Sequence, residues 1–276
     1  MFTLDQVVPW GRSFAEYRQM FALSDADLKL RILGCADGPA SFNAESTRRG
    51  TAVISIDPLY RLDTGTIRDR IAATYDQMLE QAQRNRQQFV WDTIRSVEEL
   101  GRTRMQAMQA FLDDYDLGKR QGRYVDTELP SIRFPDKSFD LAVCSHFLFL
   151  YTEHLSLAFH RSAILELCRV ALEVRIFPLL ALDGRASPYV ARLVDDLSGS
   201  WEVSLETVPY EFQRGGNQMM RVRSLQTERV RMRAVGSERR GIRKSPGNSS
   251  YFRNYRPARS LACREPSGAG EAAYGR

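Results

Sequence analysis

The chain alternates short apolar runs with longer stretches of helical periodicity. The apolar runs lie at residues 31–35, 52–57, 123–126, 139–145 and 170–178, with two further candidates at 202–208 and 218–222. Short runs of this kind, bounded by turn residues, are typical of buried strands. Helical candidates lie between them at 41–49, 154–168 and 188–197. Strands that alternate with helices predict crossover connections, a largely parallel sheet and helices on both of its faces. A turn around Gly216 predicts that the last two strands form an antiparallel hairpin.

One connection, between residues 57 and 123, is too long for a simple crossover. Its apolar residues fall at helical spacing in three stripes: Ile67, Ile71, Tyr75, Met78 and Leu79; Val90, Ile94 and Val97; Met105, Met108 and Leu112. We therefore expect an insertion of two or three helices at about 64–120, with Gly101 and Gly118 as helix ends. Two interpretations stay open: the insertion extends the crossover around an ordinary core, or it forms a lid over a substrate.

Composition narrows the class of protein. With 276 residues, 43% of them hydrophobic, the chain can bury the core of one large domain or two small ones. No run is apolar for the roughly 18–20 residues that a membrane helix needs, and no basic segment followed by an apolar one opens the chain, so we expect a cytoplasmic protein without a membrane partner. Its four cysteines are widely separated, and His154 and His160 do not share a helix face, so neither a disulfide framework nor a metal site is expected.

Charge is distributed unevenly along the chain. The net charge of +5 combines a balance of +10 over residues 221–276 with −5 over the first 220 residues. The basic end has no hydrophobic periodicity, so we expect a folded domain at 1–223 and a basic, disordered tail at 224–276.

The segment 31–41, Arg-Ile-Leu-Gly-Cys-Ala-Asp-Gly-Pro-Ala-Ser, carries the clearest chemical signal. It is a strand, a glycine-containing turn and a helix start, where Gly38 can take a positive φ and free amides favour a carboxylate or phosphate. Asp57 closes the next strand, where a carboxylate can accept hydrogen bonds from both hydroxyls of a ribose. The chain has neither a phosphate-binding P-loop nor the dinucleotide fingerprint. These residues therefore predict a site for another nucleoside cofactor.

A third motif makes the pattern more specific. Residues 129–140 read Leu-Pro-Ser-Ile-Arg-Phe-Pro-Asp-Lys-Ser-Phe-Asp, and with the two motifs above they resemble the class I S-adenosylmethionine (SAM)-dependent methyltransferases, whose fourth strand a similar phrase introduces. The resemblance spans residues 31–222. It implies a doubly wound, Rossmann-like α/β fold with a mostly parallel seven-stranded sheet, an antiparallel last strand, and SAM as the cofactor.

The resemblance also implies roles for individual residues. It places Gly34, Ala36 and Gly38 beside the methionine part of SAM, Asp57 at the ribose, Asp126 or Glu128 near the adenine edge, and Ser145 or His146 beside the methyl group. The family often has an acid at the end of the first strand and a glycine in the middle of the turn. Here these positions hold Gly34 and Ala36, and Asp37 is the candidate to replace the missing acid.

Methyl transfer depends mainly on aligning the acceptor atom with the methyl group. It needs a base only where the acceptor must lose a proton. His146, at the end of a strand, is the candidate base, and a histidine hydrogen-bonded within the core is the alternative. Arg12 is a candidate partner for the SAM carboxylate, unless residues 10–17 only pack a helix through Phe14, Tyr17 and Phe21.

The sequence thus predicts a methyltransferase with a small-molecule acceptor. Two alternatives stay open. One is a nucleic-acid or protein methyltransferase, or a binding protein, that holds an anionic partner through the basic tail. The other is an oxidoreductase on the same sheet, or a catalytically inactive nucleotide-cofactor-binding fold, because a fold does not fix a function.

Overall fold

Seven strands form one mixed sheet in the computed structural model, which describes residues 9–225. The strands are β1 (Arg31–Cys35), β2 (Ala52–Ile56), β3 (Tyr124–Val125), β4 (Phe139–Ser145), β5 (Ala171–Phe177), β6 (Trp201–Thr207) and β7 (Gln218–Ser224). Their order is β3-β2-β1-β4-β5-β7-β6. Strands β1 to β5 pair in parallel, whereas β7 runs antiparallel to both β5 and β6. The predicted seven-stranded sheet with an antiparallel last strand is confirmed.

Helices cover both faces of the sheet. They are α1 (Phe14–Met20), α2 (Phe42–Arg48), α3 (Thr64–Arg84), α4 (Val97–Arg120), α5 (Leu157–Val170) and α6 (Tyr189–Leu197). Side chains alternate along β1, so that Leu33 joins a core with residues of α5 and α6, whereas Ile32 joins a core with residues of α1 and α2. Burial on both faces explains why the central strands are continuous apolar runs.

The insertion contains two helices, where the sequence predicted two or three. They are α3 (Thr64–Arg84) and α4 (Val97–Arg120). Val90 and Ile94 lie between them, and of the second apolar stripe only Val97 belongs to a helix. The chain turns into α4 at Ser96, whose side chain accepts a hydrogen bond from the Glu99 amide at 3.1 Å.

Gly101 and Gly118 were predicted to end helices, and this prediction is wrong because both lie inside α4. Each allows a neighbour to approach closely. A Cβ at Gly101 would lie 2.5 Å from the Tyr75 hydroxyl on α3, and one at Gly118 would overlap the ring of Tyr124. Close packing, and not a turn, is the reason for glycine at these positions.

Other boundaries differ by a few residues. Helix α5 begins at Leu157 and not at His154, because Ser156 caps it by accepting a hydrogen bond from the Phe159 amide.

No helix within residues 9–225 is long and apolar enough to cross a membrane. The predicted disordered tail lies almost entirely outside the described residues and stays a prediction.

Replacing Gly118 by alanine tests the close packing of α4 on β3. Alanine favours a helix by about 1 kcal/mol over glycine, but its methyl group would have to displace the buried ring of Tyr124. We expect a net loss of roughly 1–3 kcal/mol in the free energy of unfolding, measured by urea denaturation. Gly199→Ala is the control, because no described atom lies within 4 Å of the position its Cβ would take. Equal stability of the two variants would contradict the packing argument.

Candidate functional site

A cavity of about 610 Å³ opens at the carboxyl ends of the central strands. Strand β1 has β2 on one side and β4 on the other, so the connections that leave β1 and β4 diverge at this point. A crevice at such a switch in strand order is the usual ligand site of a doubly wound sheet. The turn after β1, the end of β2 and the residues after β4 form its floor, and the insertion and the β6–β7 loop contribute the remaining walls.

The turn after β1 is bound to the end of β2 through Asp57. The Gly38 amide donates to Asp57 Oδ2 at 2.9 Å, and the Leu59 amide donates to Oδ1 at 2.8 Å. Each carboxylate oxygen has a second lone pair, so the fixed group can accept two further hydrogen bonds from a ligand. Ala36, with φ 55°, and Gly38, with φ 51°, both have left-handed backbone conformations. Burial raises the pKa of Asp57 to about 6.

Asp37 fills the space that a side chain at position 34 would occupy. Gly34 does not line the cavity, and a Cβ added there would overlap the Asp37 carboxylate. That carboxylate accepts hydrogen bonds from Tyr17 at 2.8 Å and from Ser55 at 2.5 Å. Burial, with a contribution from the charge of Asp57, raises the pKa of Asp37 to about 7. Glycine at position 34 therefore leaves room for the Asp37 carboxylate. This role differs from the ligand contact that the resemblance implied.

The structure separates the two acids that were candidates for the adenine edge. Glu128 lines the cavity beside Thr127 and Leu129, and Asp126 does not. The candidates at the end of β4, Ser145 and His146, both line it.

His146 is held at the cavity as a neutral imidazole. Its Nδ1 lies 3.0 Å from Ser145 Oγ. Burial, together with the positive charges of Arg12 and Arg104, lowers the pKa of His146 well below its usual value. His160 differs, because its two ring nitrogens contact backbone oxygens of the core at 2.9 and 2.8 Å.

A buried ion pair lies beside His146. Arg104 on α4 is fully buried, and its Nη1 donates to Glu16 Oε2 on α1 at 2.5 Å. Tyr210, from the β6–β7 loop, donates to Glu16 Oε1 at 2.8 Å. Although burial alone would raise it, the pKa of Glu16 is lowered to about 2 by the charge of Arg104 and its hydrogen bond, with a smaller contribution from Arg12.

Arg12 adds a second guanidinium next to this pair. Its carbonyl accepts from the Ser41 amide at 3.0 Å, which fixes the residue against the turn after β1. Its Nη1 donates to the Trp10 carbonyl at 2.7 Å, and its Nε is buried with no hydrogen-bond partner among the described residues. Two arginines facing one carboxylate leave this end of the cavity positive, which favours an anionic ligand group. Phe14, Tyr17 and Phe21 are also buried, so α1 packs as the alternative interpretation predicted.

The roof of the cavity joins the insertion to the β6–β7 loop. The Val90 amide donates to the Phe212 carbonyl and the Arg214 amide to the Gln88 carbonyl, both at 2.8 Å. The rings of Phe89 and Phe212 stack with their centroids 4.9 Å apart. The insertion therefore packs a core of its own and also contributes residues to the lining of the cavity.

Sequence reasoning missed Arg104 and the roof. Arg104 had a usable signal, because it falls on the buried stripe of α4 with Leu100, Met108 and Phe111. A charge within an apolar stripe needs a buried partner. The contact of Phe89 with Phe212 had no local signal, because it joins segments more than 100 residues apart.

Within residues 9–225 no group of three or more His, Cys, Asp or Glu side chains could hold a metal ion.

No model of a known protein family matches the chain. One relative is 33% identical over 222 residues, which cover 80% of this chain and 97% of the relative: the uncharacterized protein MJ0045 of Methanocaldococcus jannaschii. The chain belongs to the same family as that archaeal protein.

Several solved structures are more distantly similar. One is a SAM-dependent methyltransferase from Aquifex aeolicus, with 15% identity, a TM-score of 0.38, and coverage of 76% of this chain and 92% of that one. Another is the N-methyltransferase NodS from Bradyrhizobium japonicum in complex with S-adenosylhomocysteine, with 10% identity, a TM-score of 0.39, and coverage of 76% and 84%. The strand order with its antiparallel β7 is by itself the sheet that the resemblance to class I SAM-dependent methyltransferases implied.

Breaking the buried ion pair between Glu16 and Arg104 should destabilise the protein. In Glu16→Gln, Arg104 keeps its charge but loses its ionised partner, so we expect a loss of roughly 3–5 kcal/mol in the free energy of unfolding by urea denaturation. Arg18→Ala, which removes an exposed pair with Asp25, is the control and should cost less than about 1 kcal/mol. A Glu16→Gln loss no larger than that of the control would show that the pair does not hold these elements together.

Proposed function

We propose that the protein is a SAM-dependent methyltransferase that acts on a small-molecule acceptor. The observation that carries the proposal is one cavity whose lining combines two kinds of surface. Gly38, Asp57 and Glu128 are groups suited to a nucleoside, and Phe89 and Phe212, from the roof, are apolar.

The charges of the cavity fit SAM, which has a carboxylate, an ammonium and a sulfonium. Asp37, Asp57 and Glu128 are the carboxylates of the lining, and Arg12 also lines the cavity. In this assignment Asp57 accepts the ribose hydroxyls, Glu128 lies at the adenine edge and Arg12 binds the carboxylate. The bound cofactor supplies an activated methyl group on its sulfonium.

The chain's own contribution is to position the acceptor and to exclude water. Phe89, Leu100 and Phe212 contribute apolar surface to the cavity. Hydrogen bonds join the insertion to the β6–β7 loop, and a cavity wall fixed in this way favours a compact acceptor over a macromolecule. Alignment in an enclosed site can provide most of the rate enhancement of an in-line displacement.

Asp57→Ala tests the assignment of the nucleoside part. If the carboxylate accepts both ribose hydroxyls, its removal should weaken the binding of SAM and of S-adenosylhomocysteine (SAH) by roughly 1–3 kcal/mol, measured by isothermal titration calorimetry. NAD, titrated in parallel, should bind neither protein. Asp126→Ala is a matched control, because it removes a nearby carboxylate that does not line the cavity. Unchanged SAM affinity in Asp57→Ala would remove this residue from the site, and the absence of SAM and SAH binding to the native protein would overturn the proposed function.

The affinity for SAM should rise with pH. In the empty cavity burial raises the pKa of Asp37 to about 7 and that of Asp57 to about 6. Both carboxyls are therefore largely protonated at pH 5 and ionised at pH 8, and only the ionised forms attract a sulfonium and accept hydrogen bonds fully. We expect the association constant of SAM to increase from pH 5 to pH 8 and the Asp37→Asn variant to show a smaller increase. A flat profile in the native protein would contradict the assignment.

A further inference from the structure

Two arginines in the lining of the cavity have no partner for their guanidiniums. Arg61 ends the short 3₁₀ turn that follows β2, and Arg70 belongs to α3. Both residues are exposed, and within residues 9–225 neither guanidinium has a hydrogen bond, an ion pair or an aromatic ring as a partner. Arg12, the third arginine of the lining, donates to the Trp10 carbonyl. Arg61 and Arg70 therefore keep all their side-chain donors for a ligand.

The other two arginines of α3 show what sets Arg70 apart. Arg84 forms an ion pair with Glu80 at 3.0 Å, and Arg68 is exposed but does not line the cavity. An exposed arginine is ordinary on a protein surface and by itself indicates no ligand. Arg61 and Arg70 differ from Arg68 because both line the same concave site.

Helix α3 extends along the cavity, and its lining residues change in character from one end to the other. Arg70, Met78 and Ala82 all line the cavity, and they fall within about 120° of one another around a helix. Ala82 belongs to an apolar cluster against which Phe89 and Phe212 of the roof pack. The rise of an α-helix places Ala82 about 18 Å along the axis from Arg70.

The two arginines therefore share one end of this helix. Arg61 lies just before α3 begins at Thr64, and Arg70 lies in its second turn. The Leu59 amide, two residues before Arg61, donates to Asp57. The lining is thus cationic at the amino end of α3, beside the residues that follow β2, and apolar at its carboxyl end, where the roof packs.

The charges of the whole lining favour an anionic acceptor. Within the described residues the lining has three arginines and three carboxyls, those of Asp37, Asp57 and Glu128. Bound SAM adds two positive groups and one negative group, and in the proposed function its carboxylate binds Arg12. Burial raises the pKa of Asp37 to about 7 and that of Asp57 to about 6, which reduces their average negative charge at neutral pH. The loaded cavity therefore has an excess of positive charge that an anion would neutralise.

We propose that Arg61 and Arg70 bind a phosphate group of the methyl acceptor. The inference rests on the proposed function and defines the class of acceptor: a small phosphate monoester whose remaining part extends toward the apolar roof. A guanidinium matches a phosphate with two parallel N–H donors, and a phosphate monoester has a charge of roughly −1.5 to −2 at pH 7. Two guanidiniums therefore suit this group better than a carboxylate, which has a single charge.

Binding of phenyl phosphate to the SAH complex tests the phosphate site. This probe joins a phosphate monoester to an apolar ring, and SAH keeps the cofactor part of the cavity filled. Isothermal titration calorimetry at pH 7 compares the native protein with Arg61→Gln/Arg70→Gln, in which both charges are removed. We expect the native protein to bind the probe and the double variant to bind it roughly tenfold or more weakly, because charge-assisted hydrogen bonds are lost.

Two controls accompany this titration. Arg68→Gln removes an exposed charge of the same helix outside the lining and should change the affinity by less than about twofold, because solvent and salt screen a distant charge. Benzoate, a carboxylate on the same ring, should bind the SAH complex more weakly than phenyl phosphate. Since neither replaced side chain has a partner, the double variant should unfold at the same urea concentration as the native protein and keep its affinity for SAH.

The outcomes separate the phosphate site from the proposed function. If neither SAM nor SAH binds, the proposed function fails. If SAH binds and phenyl phosphate does not, or if the double variant binds the probe as tightly as the native protein, the phosphate site is wrong and the proposed function stands. If the probe displaces SAH, or the double variant loses affinity for SAH, the arginines belong to the cofactor site. Equal affinities for benzoate and phenyl phosphate would overturn the choice of a phosphate.

Discussion

One buried carboxylate, that of Glu16, joins three distant parts of the chain. It binds Arg104 from the inserted helix α4 and Tyr210 from the β6–β7 loop, and it belongs to the short helix α1. Its partners are 88 and 194 residues away along the chain. Without a negative charge at this point, the Arg104 guanidinium would be buried without compensation, and the walls of the cavity would lose the contact that fixes their relative positions.

The same interaction shapes the electrostatics of the cavity. Burial lowers the pKa of His146, and because Glu16 neutralises only one of two neighbouring guanidiniums, a net positive charge lowers it further. Burial acts in the opposite direction on the carboxyls of Asp37 and Asp57, whose pKa values it raises. The cavity lining therefore combines a neutral imidazole with two carboxyls that ionise less readily than usual.

Periodicity predicted the sheet and the presence of helices between β2 and β3 because strands and amphipathic helices repeat their pattern locally. It misread Gly101 and Gly118, because a glycine that ends a helix and a glycine that admits a neighbouring side chain look alike in one sequence. The turn after β1 and Asp57 were predicted to meet because parallel strands end at one edge. The roof over the cavity was not predictable from local pattern, since Phe89 and Phe212 meet only through the tertiary fold.

The relation between Gly34 and Asp37 has an evolutionary consequence. The family that the sequence resembles often has an acid at this strand position, whereas here the Asp37 carboxylate occupies the space of a side chain at position 34. An acid introduced at position 34 would compete with Asp37 for one volume, and losing Asp37 alone would leave Tyr17 and Ser55 without their acceptor. The two positions are therefore expected to change together in the lineage. A comparison that scores each column of an alignment separately would count two mismatches where a single carboxylate has changed its position in the chain.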